Sequence, residues 1–411
     1  MNYFPNRREP TARGRAVGIG VHASLYLLLA SACAQEVGGA APSAELRARN
    51  SALVADAKQR LGLPTATPIS AGARQRATVR LGATAKEPFQ LVAGGASVAV
   101  SLLGASAVPS TESDGYTVYA GALAGADLLH RVSDTGTEDY VRFASKPTTS
   151  ELRYTLQLNA GVRGLRLVAN TLEMLDESGS PRLRVDAPYG KDANGKYFPA
   201  SLSVEGCAVD TDVRAPWGRA TVDPGAGTCV VHVKWSEDVN YPALIDPSWT
   251  TASNYPIPVG TGVVGVTPSG KVLLAGGSHQ GVPYRNAYLY DFVTDSWAAT
   301  SSLLSDCTAW AEAPKLSSGD LMFACDVVQL YNEASGVFTA LPTQPTTNAR
   351  WLVPLPDNKV MLTAGYAPGV TLPWQIYDAT AGVYTDTTPP TGLTLAFRLP
   401  GGDVLGRVPK V

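Results

Sequence analysis

Charge is what this sequence has least of. Asp, Glu, Lys and Arg make up only 17% of 411 residues, while Gly (40) and Pro (30) are abundant, a balance that favours short strands and tight turns over long helices. The 33 basic and 35 acidic residues nearly cancel, to −2, and no basic stripe gathers in any segment. The electrostatic footprint of a nucleic-acid-binding protein is therefore missing. Histidine is scarce: outside the N-terminal segment only His130, His232 and His279 occur, each alone, with no H-E-x-x-H and no C-x-x-C. That excludes the usual zinc patterns. Asp134-Thr135-Gly136-Thr137 matches the string of an aspartic protease, but no second D-T-G supplies the partner carboxylate, so it reads as a hairpin turn. Asp176-Glu-Ser-Gly179 and Asp192-Ala-Asn-Gly195 lack the twelfth-position glutamate of a calcium loop and read as hairpin tips. No metal, no cofactor and no catalytic set is expected.

Residues 1–34 have the layout of a secretory signal peptide. Arg7, Arg8, Arg13 and Arg15 precede an apolar stretch from Ala16 to Ala30, and small residues follow to Ala34. The stretch is short for a permanent membrane span and His22 interrupts it. Cleavage removes a net +3 and leaves −5 on the mature chain. Ala30-Ser31-Ala32-Cys33 resembles a bacterial lipobox, which makes Cys33 a candidate for lipidation. The expected location is secreted or at the bacterial cell surface or outer membrane. Four further cysteines fall as two local pairs, Cys207 with Cys229 and Cys307 with Cys325. In an oxidising compartment these are candidate disulfides, and proximity favours this pairing of the three possible; four buried thiols are the alternative.

Residues 35–72 form a linker with one helix, Ala44–Leu61, whose Leu46, Leu53, Val54, Ala57 and Leu61 share a side and which Gly62-Leu63-Pro64 ends. Residues 73–250 change to short apolar alternations separated by Gly-, Ser- and Asp-rich turns, the pattern of an all-β, sandwich-like domain. From 251 to 411 three landmarks recur in step. A turn followed by a strand falls at Gly270-Lys271, Gly319-Asp320, Asn358-Lys359 and Gly402-Asp403. Tyr290-Asp291, Tyr331-Asn332 and Tyr377-Asp378 follow, and Trp297, Phe338 and Tyr384 close each copy. A period of about 40–50 residues with several short strands per unit predicts propeller blades. About three blades and the opening strand of a fourth are expected, and the chain reads as a fragment because such a ring generally needs four blades to close.

The apolar run, Gly276-Gly277, Tyr-Asp and closing aromatic resemble kelch repeats; the second and third copies carry Cys325-Asp326 and Gly365-Tyr366 where the glycine pair stands. The segment from about 115 to 249, ending in Tyr241-Pro-Ala-Leu-Ile-Asp246-Pro, resembles a β-rich module found ahead of repeat arrays in large secreted bacterial surface proteins. These resemblances imply an exported, non-catalytic protein that recognises a glycan or a protein through blade loops. The alternative they imply is a secreted galactose-oxidase-like or carbohydrate-active enzyme whose catalytic part lies outside this chain. Loop residues His279, Tyr284, Tyr366 and Trp374 are the candidate binding residues, whereas Trp297, Phe338 and Tyr384 are expected between blades.

Overall fold

A computed structural model describes residues 43–64, 75–236, 238–253, 255, 261–279, 282–308, 310–346, 349–364, 374–387, 395–398 and 404–407. The signal segment with Cys33, Tyr366 and the Gly402-Asp403 turn lie outside the described residues. Among the described residues there is one helix, and all other regular elements are strands in several, almost wholly antiparallel, sheets. Among the described residues no helix is long and apolar enough to cross a membrane.

The helix α1 (Ala44–Leu61) begins where Ser43 Oγ accepts the Leu46 N–H (3.2 Å) and ends at Gly62, whose φ of 61° closes a left-handed cap. It is not a free linker. Val54, Ala57 and Leu61 pack on Tyr116, Val118, Leu129 and Tyr140 of the strands that follow. Asn50, on the same buried side, donates to Thr111 Oγ1. Arg142 reaches Asp56 at 2.6 Å and fixes the helix from its flank.

The next segment builds one continuous sheet of sixteen strands. Its first half runs, in pairing order, Thr78–Arg80, Phe89–Ala93, Ala96–Leu102, Glu151–Leu158, Thr228–Trp235 and Tyr197–Glu205. Tyr189–Lys191 carries the ladder across to Ala243–Asp246, Gly136–Phe143, Ser248–Thr251, Pro181–Val185, Thr171–Leu175 and Gly164–Val168. Alternate residues point inward: along Glu151–Leu158, Leu152, Tyr154 and Leu156 are buried and their neighbours are not. Leu91, Val98, Tyr154 and Val231 from one half meet Leu128, Val141, Leu172 and Trp249 from the other in a single core, so the sheet doubles over on itself. Trp249 is fully buried there, edge-on to Phe89 and Tyr154 at 5.8 and 5.7 Å. Cys207 and Cys229 form a disulfide that ties the end of Tyr197–Glu205 to Thr228–Trp235. We call this segment the platform.

Beyond the platform the strands fall into repeated sheets. The first is Gly262–Val266, Val272–Ala275, Ala287–Asp291 and Ser296–Ala299. The second has Leu321–Ala324, Val328–Asn332 and Val337–Ala340. Its opening strand, Trp310–Glu312, runs parallel to Gly262–Val266 before handing on to Leu321 through a bridge at Lys315. The third is Ala349–Leu355, Lys359–Ala364, Trp374–Asp378 and Val383–Thr387, and a hairpin of Leu395–Arg398 with Val404–Arg407 follows. The strand after Gly402-Asp403 is thus the second of its unit rather than the opening one. A preceding strand was not legible there because its four residues, Leu-Ala-Phe-Arg, are too few to show an alternation. The second disulfide, Cys307–Cys325, links the loop after the first sheet to the second sheet.

The three landmarks occupy equivalent places. Gly270, Gly319 and Asn358 all have positive φ (83°, 92° and 56°), as a tight strand-to-strand turn requires. Each Tyr pairs across the ladder with its closing aromatic, and Tyr290–Trp297, Tyr331–Phe338 and Tyr377–Tyr384 lie 5.0, 4.9 and 4.9 Å apart. Asp291, Asn332 and Asp378 each turn a side-chain oxygen back onto a main-chain N–H two or three residues on, at 2.7, 2.9 and 3.0 Å. The residue after each turn reaches the same side chain: Lys271 and Lys359 stand 3.5 Å from Asp291 and Asp378, and Asp320 accepts from Asn332 at 2.7 Å.

Successive sheets stack face to face. In Leu321–Ala324, Leu321 and Phe323 join Val263, Leu273 and Leu289 of the first sheet, while Met322 and Ala324 join Leu352, Val360 and Leu362 of the third. This is why all four residues are buried and no polar alternation marks the strand. Phe338 faces the sheet before it and Tyr384 does likewise, as expected for residues between repeats. Trp297 faces the platform instead, packing with Tyr255 and Tyr288.

Candidate functional site

The seam between platform and first sheet is built from unusual groups. Arg166 and Glu173 stand opposite each other on neighbouring strands, fully buried, 2.6 Å apart. Together they grip one residue of the first sheet: Glu173 accepts the Ala299 N–H (2.6 Å) and Arg166 donates to the Ala299 carbonyl (2.7 Å). Arg166 also donates to the carbonyls of Asp212 and Arg214, at 3.2 and 3.1 Å. Burial pushes the Glu173 carboxyl up, and the Arg166 guanidinium beside it pulls it back. Tyr288 and Thr171 share a hydrogen bond at 2.8 Å, and Asn286 donates to the Ala169 carbonyl at 3.0 Å. The joint is a fixed one.

Beside this seam opens a cleft of about 530 Å³. Its platform wall is the hairpin around Asp192-Ala-Asn-Gly195, with Pro188, Tyr189, Tyr197, Phe198 and Pro199. Its other wall is the loop of the first sheet, from Val282 to Asn286, with Tyr284 at its centre. The hairpin forms because Asp192 Oδ1 accepts the N–H groups of Asn194 and Lys196, both at 2.9 Å. Phe198 lies over Gly190, where any side chain would strike the ring, at 2.2 Å from the position of a Cβ. Asn170 braces the floor, donating to the Ala200 carbonyl (2.8 Å) and accepting from the Leu202 N–H (2.7 Å).

Tyr189, Tyr197, Phe198 and Tyr284 are all part-exposed, so ring surface faces the opening. Burial raises the pKa of the Tyr284 hydroxyl, and the nearby Tyr197 adds to the effect. Burial likewise raises Tyr197, and raises Tyr189 well above its ordinary value. All three remain neutral hydroxyl donors and acceptors at physiological pH. Arg285, the charged residue of the lining, is engaged with Asp306 at 2.6 Å.

Of the candidate binding residues singled out in sequence, Tyr284 lines this cleft. His279 sits in the short ladder Ser278–His279 with Val282–Pro283 at its edge, and its side chain is outside the described residues, as is Tyr366. Trp374 is not a loop residue. It opens the strand Trp374–Asp378, is 5% exposed, and packs on Val353 and Met361 on the face of the third sheet turned from the second. Gly276 and Gly277 have positive φ (72° and 104°), and a Cβ on Gly276 would meet the Cys307 carbonyl at 2.6 Å. Their role is backbone geometry. The Asp134–Thr137 string is a hairpin turn, with Gly136 pressed against the Trp249 carbonyl. Tyr189, Tyr197 and Phe198 were missed, although three aromatics bracketing a single D-x-N-G tip are a visible signal once the hairpin is drawn.

Two further ionisable clusters stand apart from the cleft. Asp139, His130, Tyr119 and Tyr154 line a cavity of about 10 Å³, the size of one water. His232 lies between Glu151 (2.6 Å) and Glu205 (3.0 Å), one carboxylate on each ring nitrogen, which leaves neither nitrogen to a metal. Among the described residues no group of His, Cys, Asp and Glu has metal-binding geometry.

No family model and no curated protein matches the chain. Among solved structures, virginiamycin B lyase from Staphylococcus aureus is similar over 62% of this chain and 67% of its own, at 10% identity and a TM-score of 0.28. A likeness of that size transfers neither fold nor activity.

Proposed function

We propose that the chain is an exported, non-catalytic binding protein in which a sandwich-like platform carries an array of kelch-like propeller blades, and that it recognises a glycan or a protein at the bacterial surface. The observation that carries this reading is the open, aromatic-lined cleft at a rigid seam: it holds surface for a ligand but no acid–base pair or nucleophile directed into it among the described residues. The propeller part is supported by three four-stranded or near four-stranded units stacked face to face, with the opening strands of the first two running parallel. Export is supported by the two disulfides, which fit an oxidising compartment, and by the layout of residues 1–34. Mass spectrometry and N-terminal sequencing of the protein recovered from its native cells test the export part. A mature chain starting at Gln35 or at lipidated Cys33, with both disulfides intact, is expected. An unprocessed chain with four free thiols in the cytoplasm would remove it.

A further inference from the structure

Resting on that reading, we propose that the cleft between the platform hairpin and the Val282–Asn286 loop binds a neutral oligosaccharide, with sugar rings stacked on Tyr197 and Tyr284. Three features select this ligand class. The first is the lining: part-exposed aromatic rings on both walls present π faces with negative character, and the C–H groups on the flat face of a pyranose carry the complementary partial positive charge. The Lys191 ammonium stands 5.0 Å from the centre of the Tyr197 ring, and the Tyr189 ring lies beside it at 5.7 Å. The Tyr197 and Tyr284 hydroxyls have no protein partner among the described residues and remain neutral, which suits the donor and acceptor pattern of a polyol.

The second feature is charge. Arg285, the charged residue of the described lining, is paired with Asp306, and the neighbouring Lys191 ammonium is turned onto the Tyr197 ring, so the lining suits a neutral ligand better than a phosphate, sulfate or uronate. The third is how little unpaired main chain the described lining offers. Tyr189–Lys191 is paired on both sides, Val282–Pro283 pairs with Ser278–His279, and Pro188, Pro199 and Pro283 have no N–H to give. An extended peptide needs main-chain donors and acceptors in a row, and the described residues of the lining supply no long row of them. The site is composite: neither platform nor first sheet supplies both stacking rings. Its walls are held in place by Asn170 and Asn286 before any ligand arrives, which lowers the ordering cost of binding.

The test uses the disulfide-intact protein on an array of cello-, xylo-, manno- and chito-oligosaccharides, uronic-acid oligosaccharides, and extended and proline-rich peptides, followed by calorimetry with the best-retained probe. Retention of a neutral oligosaccharide is expected, weakened about tenfold or more by Tyr197→Ala and by Tyr284→Ala with unchanged melting temperature. If an alanine variant melts early, Tyr197→Phe and Tyr284→Phe decide: each keeps the ring and is expected to lose about threefold or more through the hydroxyl. Saccharide binding that ignores all four substitutions overturns the cleft assignment but leaves a binding protein. Retention of peptides or uronates alone overturns the ligand class. Retention of nothing overturns both the cleft and the proposed function.

Discussion

His130 and Asp139 face each other across neighbouring strands, buried, and burial acts on them in opposite directions. The His130 pKa falls from 6.5 to about 3. The unfolded chain therefore takes up a proton that the folded one refuses, and this residue's contribution to stability is lost as pH falls below 6.5. The Asp139 pKa rises from 3.8 to about 7, burial being opposed only by the Tyr154 hydroxyl. Its contribution is complete below 3.8 and is lost as pH rises to about 7. Between pH 4 and 6.5 the two slopes oppose each other. Asp139→Asn should unmask the histidine: its urea stability is expected to fall by about 1.4 kcal/mol per pH unit more steeply than wild type between pH 6 and 5, and to exceed wild type at pH 8. Parallel pH profiles for the two proteins would refute the pairing. Neither effect was legible in sequence, because His130 and Asp139 are ordinary members of an alternating strand until register puts them together. At the seam, Arg166→Met leaves Glu173 buried without its cation, and a loss of about 3–5 kcal/mol is expected in chemical denaturation. The fall should be smaller at low pH, where a carboxyl already pushed up by burial protonates.

Among the elements, the repeat sheets show how much a sequence pattern can carry. Turn, Tyr-Asp and closing aromatic were each visible as recurring letters, and all three fall at equivalent ladder positions: the turn residue and the Asp or Asn shape the backbone, and the two aromatics pack across the ladder. Asn358 illustrates it: with φ of 56° it stands where the other copies have Gly, and its Oδ1 also accepts the Ser317 N–H of the preceding sheet at 2.8 Å. Asn358→Gly should cost about 1 kcal/mol or less, keeping the turn and losing the link, whereas Asn358→Val should cost about twice as much. Thermal melts of the two variants compare these directly, and equal losses would mean that the turn conformation is not what Asn358 provides. A fourth recurring device escaped notice. Gln329 and Gln375, two residues before the Tyr of copies two and three, each accept an N–H from the segment that precedes their sheet, Leu304 and Thr346, at 2.9 Å. Copy one has Tyr288 there, bound to Thr171 of the platform, so the letters differ although the task is shared. Trp374 was misplaced for the opposite reason: it follows a Gly- and Pro-rich stretch, and the strand that holds it opens on the aromatic itself.

At the scale of the molecule, the platform occupies the place that a preceding sheet would take. Tyr288, Trp297 and Ala299 face it, as Phe338 faces the first sheet. Residues 261–411 produced alone should therefore aggregate or elute as oligomers to a greater extent than residues 43–411 on size-exclusion chromatography; equal behaviour of the two would show that the seam is dispensable. The two disulfides close spans of 22 and 18 residues, and each is expected to contribute about 3 kcal/mol, read as the loss of urea stability in the paired Cys→Ser variants. The all-β class, the helix bounds and the cysteine pairing were available from residue types because each is decided locally. The cleft was not, since its walls lie about 90 residues apart in the chain and meet only through the grip of Arg166 and Glu173 on Ala299. That grip also bears on how such proteins are assembled from parts. A recombination joining this platform to another array at residue 254 would bury a charged pair against a stranger's backbone and halve the cleft. The segment that can be inherited as a working piece runs through Ala299, and the natural boundary for exchange falls after the first sheet.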